Sequence, residues 1–372
     1  MTMNYLNYEF HLFYKKKKIL GILGLILALG FFMGTLYLSN FHPVEPIDQA
    51  RLQISETDVN HKDKQKTLEN YLRLSVEYYD GSLTALQFPE KYFTFHNYYG
   101  QSDAAYQFSY NYILYNGLIK NSNNLSTNVI EETTAAQFML PSLEFSLPLL
   151  LILFCFGCSD IVLKDRRNAS IAFGLPVSNL KKLLTKTVMG ISFSICIFLL
   201  FFLVVYITVG IQNGFGSLSI ENPIYKGVLT KSNFETLIRA NITPEVFSLL
   251  PIWKILLEVF IMYLLLSSVF LVIIFTVTNF ISSQVVVLSI LCPIPVLSYL
   301  PQERFSGIYN KWLAYLPWNY LKIVPVLTGK IQQWVGGDNI TVLRGVKLYL
   351  ILLFVFGLVS FLFRNRLSRY NN

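Results

Sequence analysis

Residues 19–38 read ILGILGLILALGFFMGTLYL, twenty consecutive positions without a charge. A helix rises about 1.5 Å per residue, so this run is about 30 Å long, the thickness of a bilayer's hydrocarbon core. Lys15–Lys18 stand directly before it, and basic residues at a span end stay on the cytoplasmic side. The run is longer than the apolar region of a signal peptide, and no small-x-small cleavage site follows, so it reads as an uncleaved anchor. The whole chain fits that solvent. Of 372 residues, 53% are hydrophobic and 14% charged, against about 25% charged in soluble proteins. The formal charge of +8 reads as orientation charge for a lipid bilayer, not as a footprint for nucleic acid, and no nucleic-acid partner is expected.

Working outward, five further apolar segments follow, and the fold class reads as an all-α polytopic membrane protein with six transmembrane helices. The spans are 19–39, 144–163, 187–211, 252–280, 285–300 and 346–363. The fifth is short and holds Pro293 and Pro295, which predicts a kinked or partly re-entrant segment. Six crossings put both ends, 1–18 and 364–372, in the cytoplasm. Arg364, Arg366 and Arg369 agree, as does the 164–186 loop. Residues 212–251 form an outer loop. Segment 301–345 should also lie outside, yet it has five basic and two acidic residues. Its KWLAYLPWNYLK stretch supplies a reason: Trp312, Tyr315, Trp318 and Tyr320 suit the membrane interface, where lysines snorkel to headgroups. It reads as short amphipathic or re-entrant helices broken at Pro317 and Pro325.

A domain-sized polar segment, 40–143, separates the first two spans, with twelve acidic and seven basic residues. Residues 48–79 and 103–120 have helical spacing, the first through Leu68 and Leu72 and through Tyr71, Leu74 and Tyr78. Between them FPEKYFTFHNYYG is strand- or turn-like. A mainly helical extracytoplasmic domain is expected. Ten tyrosines fall between Tyr71 and Tyr115. They either build its cysteine-free core or offer an aromatic surface to an amphipathic or peptide ligand.

Signals of catalysis are missing. There is no GxxxxGK[ST] phosphate loop, no HExxH and no GxSxG, and His11, His42, His61 and His96 are scattered. No catalytic residue and no metal ligand is assigned. Cys155 and Cys158 have CxxC spacing but lack a second pair; with Cys196 and Cys292 they read as small buried apolar residues. Asp160 has Lys164 as an i+4 partner at a helix end, and Glu258 has Lys254 four residues before it. No chain of carboxylates or histidines continues across the membrane, which disfavours a proton relay.

The loop 164–186, KDRRNASIAFGLPVSNLKKLLTK, holds six basic residues and one Asp. Gly174 and Pro176 end one helical stretch, and Ser178 is placed as the N-cap of the next. Leu180, Leu183, Leu184 and Val188 give that helix an apolar stripe. Lys181 and Lys182 fall in its first turn, where the helix dipole disfavours cations by ~0.3–1 kcal/mol each. They are expected to face something outside the helix, either anionic headgroups or an acidic partner surface.

This segment resembles the cytoplasmic coupling region of ABC-2 family permeases, the membrane subunits of ATP-driven exporters. The residues that carry the resemblance are Asp165-Arg166, Ala169-Ser170, Leu175-Pro176-Val177-Ser178, Leu184 and Lys186. Asp stands where the family more often has Glu, and Ala-Ser where it has Gly-Thr. LAYLPWNYLK and a last span ending in Phe-x-Phe-Arg-x-Arg also fit. The resemblance implies a multi-pass protein of a bacterial plasma membrane that dimerises with an identical or related permease. It would couple to a separate ABC ATPase through Lys164, Asp165, Arg166, Arg167, Ala169, Ser170, Gly174, Leu175, Pro176, Ser178, Lys182 and Lys186. Glu258, Trp312 and Trp318 would line the translocation path or its outer mouth. ATP and Mg would bind the ATPase, with no cofactor on this chain. The cargo would be a peptide, drug or other amphipathic molecule, as in efflux, toxin export or self-immunity. The alternative is a membrane sensor or immunity protein whose outer domain binds a ligand.

Overall fold

The computed structural model describes residues 9–11, 17–41, 64–85, 102–120, 125–167, 178–225, 247–299, 315–335 and 340–370. Helix α1 covers Lys17–Phe32 and is prolonged by a π-helical turn, Met33–Tyr37. Helices α2 (Lys64–Ala85) and α3 (Ser102–Lys120) follow, then a single turn, α4 (Thr127–Ile130), and the long helices α5 (Ala135–Arg167) and α6 (Asn179–Asn213). Strands β1 (Glu221–Tyr225) and β2 (Phe247–Pro251) precede α7 (Ile252–Thr278). Short helices α8 (Gln284–Leu291), α9 (Pro293–Val296), α10 (Ile323–Thr328) and α11 (Lys330–Val335) lead to α12 (Val342–Tyr370).

Among the described residues five helices are long and apolar enough to cross a membrane: α1, α5, α6, α7 and α12. The expected fifth span, 285–300, is not one of them. Pro293 has no N–H to continue α8, so the chain restarts as α9 and closes in a 3-10 turn at Leu297–Tyr299. Gln284 Nε2 donates to Ser159 Oγ at 3.1 Å, and the Tyr299 hydroxyl donates to the Phe145 carbonyl. The segment therefore climbs α5 only from Ser159 to Phe145, about 21 Å of helix, short of the ~30 Å hydrocarbon core. The all-α expectation also needs correction. β1 and β2 pair antiparallel, from Glu221 opposite Pro251 to Tyr225 opposite Phe247.

Helices α5, α6 and α7 pack on one another at the centre. Gly157 of α5 lies against the Phe193 ring of α6, and Gly190 of α6 against Leu271 of α7. The buried Ser194 hydroxyl donates to Ser267 Oγ at 2.8 Å across the α6–α7 seam. Helix α1 joins through Gly30 and Gly34, where an added Cβ would fall 2.8 Å from Val204 and from Thr208 of α6. This small-xxx-small spacing lets two backbones approach where lipid supplies no hydrophobic drive. Helix α12 is peripheral. It meets α7 through Thr276 Oγ1 donating to the Phe356 carbonyl at 3.1 Å and through the Phe280 and Phe363 rings, 4.8 Å apart. Its exposed Leu350, Ile351, Phe354, Leu358 and Leu362 suit hydrocarbon.

One end of the bundle is closed by the loop 214–220, and we refer to it as the capped end. A helix begins with four N–H groups that lack intrahelical partners. Here Ala135 N and Ala136 N of α5 donate to the Gly214 and Phe215 carbonyls, each at 3.0 Å. Ile252 N and Trp253 N of α7 donate to the Ile220 and Leu218 carbonyls, also at 3.0 Å. Asn128 Nδ2 donates to the Asn213 carbonyl at 2.8 Å, and Asn213 Nδ2 returns a bond to the Thr133 carbonyl at 3.3 Å. A positive φ of 86° at Gly214 and 67° at Gly216 makes the tight path available. The chain passes from α5 to α6 at the opposite end, the elbow end. The start of α1 and the finish of α12 lie there too, since Gly30 and Gly34 climb α6 toward Thr208 while Asn279 Nδ2 reaches the Ser360 carbonyl at 3.4 Å.

The segment 40–143 contributes α2 and α3, which pack together at the capped end with α3 against β1. Leu68, Tyr71, Leu72, Leu114, Tyr115 and Leu118 are buried there, so Tyr71 and Tyr115 serve as core. The expected helix over 48–79 is described from Lys64 onward and runs further, to Ala85. The FPEKYFTFHNYYG stretch lies outside the described residues. In the 301–345 segment Pro317 opens a 3-10 turn, Pro317–Tyr320. Pro325 does not break a helix as expected. It sits in the first turn of α10, where its missing N–H has no partner to lose. All six residues of α10 are buried, because it is wedged against α5, α7 and β1. It is not amphipathic.

Candidate functional site

Lys164, Asp165, Arg166 and Arg167 occupy the last turn of α5, so the long helix itself carries the charged cluster to the elbow end. Ser178 begins the return. Its backbone is extended (φ −60°, ψ 147°) and its hydroxyl accepts from Lys181 N at 3.4 Å, the N-cap expected at this position. Ala169, Ser170, Gly174, Leu175 and Pro176 lie outside the described residues. Ser178→Ala is expected to fray the first turn of α6 at a cost of about 0.5–2 kcal/mol. Faster amide hydrogen exchange at Leu180–Lys182, with the rest of α6 unchanged, would check it.

The first turns of α6 face otherwise than expected. Lys182 and Lys186 are 4% and 2% exposed, and each has a partner within the chain. Leu180, Leu184 and Val188, one turn apart, are 59%, 55% and 47% exposed. The lysines turn inward and the apolar stripe turns outward, with Lys181 alone of the three lysines exposed. Lys182 and Lys186 thus interact inside the fold, and the leucine stripe lies on its outer surface.

The remaining candidates do not converge. Glu258 is half-buried on α7 and Lys254 is exposed; the expected ion pair is not made between these two described residues. Trp318 is 46% exposed on the 3-10 turn that packs against α12, while Trp312 lies outside the described residues. Cys155 and Cys158 are buried and unbridged, as are the half-buried Cys196 and Cys292. Among the described residues no three His, Cys, Asp or Glu side chains gather as a metal site.

Two features were missed by sequence reasoning. GFFMG at 30–34 carries small-xxx-small spacing in plain view, whereas the 214–220 cap leaves only glycines and serines as a trace. No protein-family model, curated protein or solved structure matches this chain.

Proposed function

We propose that this chain is the permease subunit of an ATP-driven exporter that works as a dimer. A separate ATPase would drive it from the cytoplasm through the 164–186 elbow. The observation that carries the reading is the elbow's place in the fold. A proline-containing connection, flanked by Lys164, Arg166 and Arg167 at the finish of α5 and by Lys181 and Lys182 at the start of α6, joins two helices that run the length of the bundle and pack against each other. A force applied at 168–177 would reach both, which is what a rocking transition between two access states needs. With Lys182 and Lys186 turned inward, Asp165, Arg166, Arg167 and Lys181 are the charges assigned to the ATPase contact. The elbow end faces the cytoplasm in this proposal, the capped end faces outward, and the cargo is amphipathic.

Purification of the tagged chain from its native membrane should bring down an ATPase subunit in near-equal amount. Asp165→Lys with Gly174→Trp should reduce that recovery at least tenfold, while Trp253→Ala at the capped end leaves it intact. ATPase recovery unchanged in the double variant would sink the docking role.

A further inference from the structure

We propose that the surface formed by α12 and the α8–α9 segment holds the bilayer beside it thinner than its resting thickness, so that the protein favours phospholipids with short acyl chains. Two independent rulers agree there. On α12 the charge-free run between Lys347 and Arg364 is Leu348–Phe363, about 24 Å of helix. The α8–α9 segment is pinned to α5 at both ends, Gln284 on Ser159 and Tyr299 on the Phe145 carbonyl, over about 21 Å. Against a hydrocarbon core of ~30 Å, both fall short by about 6–9 Å. Helix α1, which packs on α6, has a charge-free run of about 30 Å and needs no such adjustment.

Aromatic rings mark the same two levels. Toward the capped end the Phe145 ring lies 5.7 Å from Tyr299 and 5.5 Å from Tyr37, which closes the apolar run of α1. Tyrosines gather where hydrocarbon meets headgroups. Toward the elbow end Phe280 meets Phe363, the residue before Arg364. Between these levels Ile351, Phe354 and Leu358 of α12 are exposed, as are Val285, Ile290 and Val296 of the α8–α9 segment. A span shorter than the core is met by thinning the bilayer, by snorkelling of flanking residues or by oligomerisation. Tilt only shortens its projection further. Snorkelling is restricted. Arg344 lies over the Tyr315 ring, 5.1 Å from its centroid, and the Tyr299 hydroxyl is spent on α5. Lys347 is exposed and can reach outward, but residues 284–299 contain no lysine or arginine to do so. The lipid is left to move.

The inference requires that these helices cross a bilayer and does not depend on the exporter reading; a chain without an ATPase partner would thin the membrane equally. The test places the full chain in nanodiscs of dimyristoleoyl-, dipalmitoleoyl-, dioleoyl- and dierucoyl-phosphatidylcholine, a series of rising thickness, and follows thermal unfolding. The unfolding temperature should be highest in the dimyristoleoyl or dipalmitoleoyl discs and fall steadily toward dierucoyl. Arg344→Leu with Lys347→Leu lengthens the apolar band of α12 and should move the optimum toward dioleoyl, a shift that general destabilisation cannot produce. A maximum in dioleoyl or longer lipid, an unfolding temperature indifferent to chain length (as when a second copy covers this surface), or an optimum unmoved in the double variant would each overturn the proposal.

Discussion

Replacing Gly30 and Gly34 together by leucine is expected to detach α1 from α6. Each added Cβ would lie 2.8 Å from a side-chain carbon of α6, Val204 in one case and Thr208 in the other. Both neighbours are β-branched and stiff about χ1 within a helix, so neither turns aside cheaply. Overpacking of this kind costs about 1–3 kcal/mol per site. Lipid fills a separated interface as readily as the partner helix does, so little opposes the separation once close approach is lost. Gly24 lies on the same helix with nothing within 4 Å of an added Cβ. Gly24→Leu should therefore leave thermal unfolding in nanodiscs unchanged, while the double variant unfolds at a clearly lower temperature. Equal behaviour of the two would show that α1 is held by something other than this contact.

The second large effect is expected at Gly216. Its φ of 67° is one that a β-branched residue adopts only under strain, and an added Cβ would fall 2.5 Å from Thr134 Oγ1. Backbone strain costs about 1–3 kcal/mol, and steric overlap in a packed site adds about 1–3 kcal/mol. Gly216→Val should also release the carbonyls that cap α5 and α7, so the damage spreads to two helix starts. Gly214→Ala separates the two causes. Its φ of 86° is unfavourable, but nothing lies within 4 Å of the new methyl, so only the backbone cost applies. Hydrogen exchange at Ala135, Ala136, Ile252 and Trp253 should rise strongly in Gly216→Val and slightly in Gly214→Ala. No change in the Gly216→Val variant would mean the loop is dispensable to both helices.

The apolar runs made four of the long helices and the first anchor legible, because length and hydropathy are properties of a segment alone. Ends were less legible. Helix α5 begins at Ala135, before the polar-looking Gln137, Ser142 and Glu144, because its first N–H groups find carbonyls from a loop some eighty residues on. The N-cap at Ser178 was readable for the opposite reason: its partner is three residues away. Which face of α6 would bury its lysines was not readable, since Leu180, Leu183, Leu184 and Val188 make a plausible inward stripe by periodicity. The structure inverts that logic, with the leucines outside and Lys182 and Lys186 buried within. Strand β1 was hidden because its partner β2 lies beyond a long intervening stretch, and pairing at that distance leaves no local pattern.

The loop 214–220 has a mechanical meaning beyond the hydrogen bonds it satisfies. It works as a hinge pin through the heads of three rods, since it continues α6 directly and grips both α5 and α7. Rods pinned at their heads spread at their feet. Helix α5, 33 residues from end to end, is about 50 Å long, so a tilt too small to break a hydrogen bond at the pin becomes a displacement of several ångströms at the far end. That far end is where Lys164–Arg167 stand. The molecule is built like a pair of dividers, jointed at the capped end with its points at the elbow end.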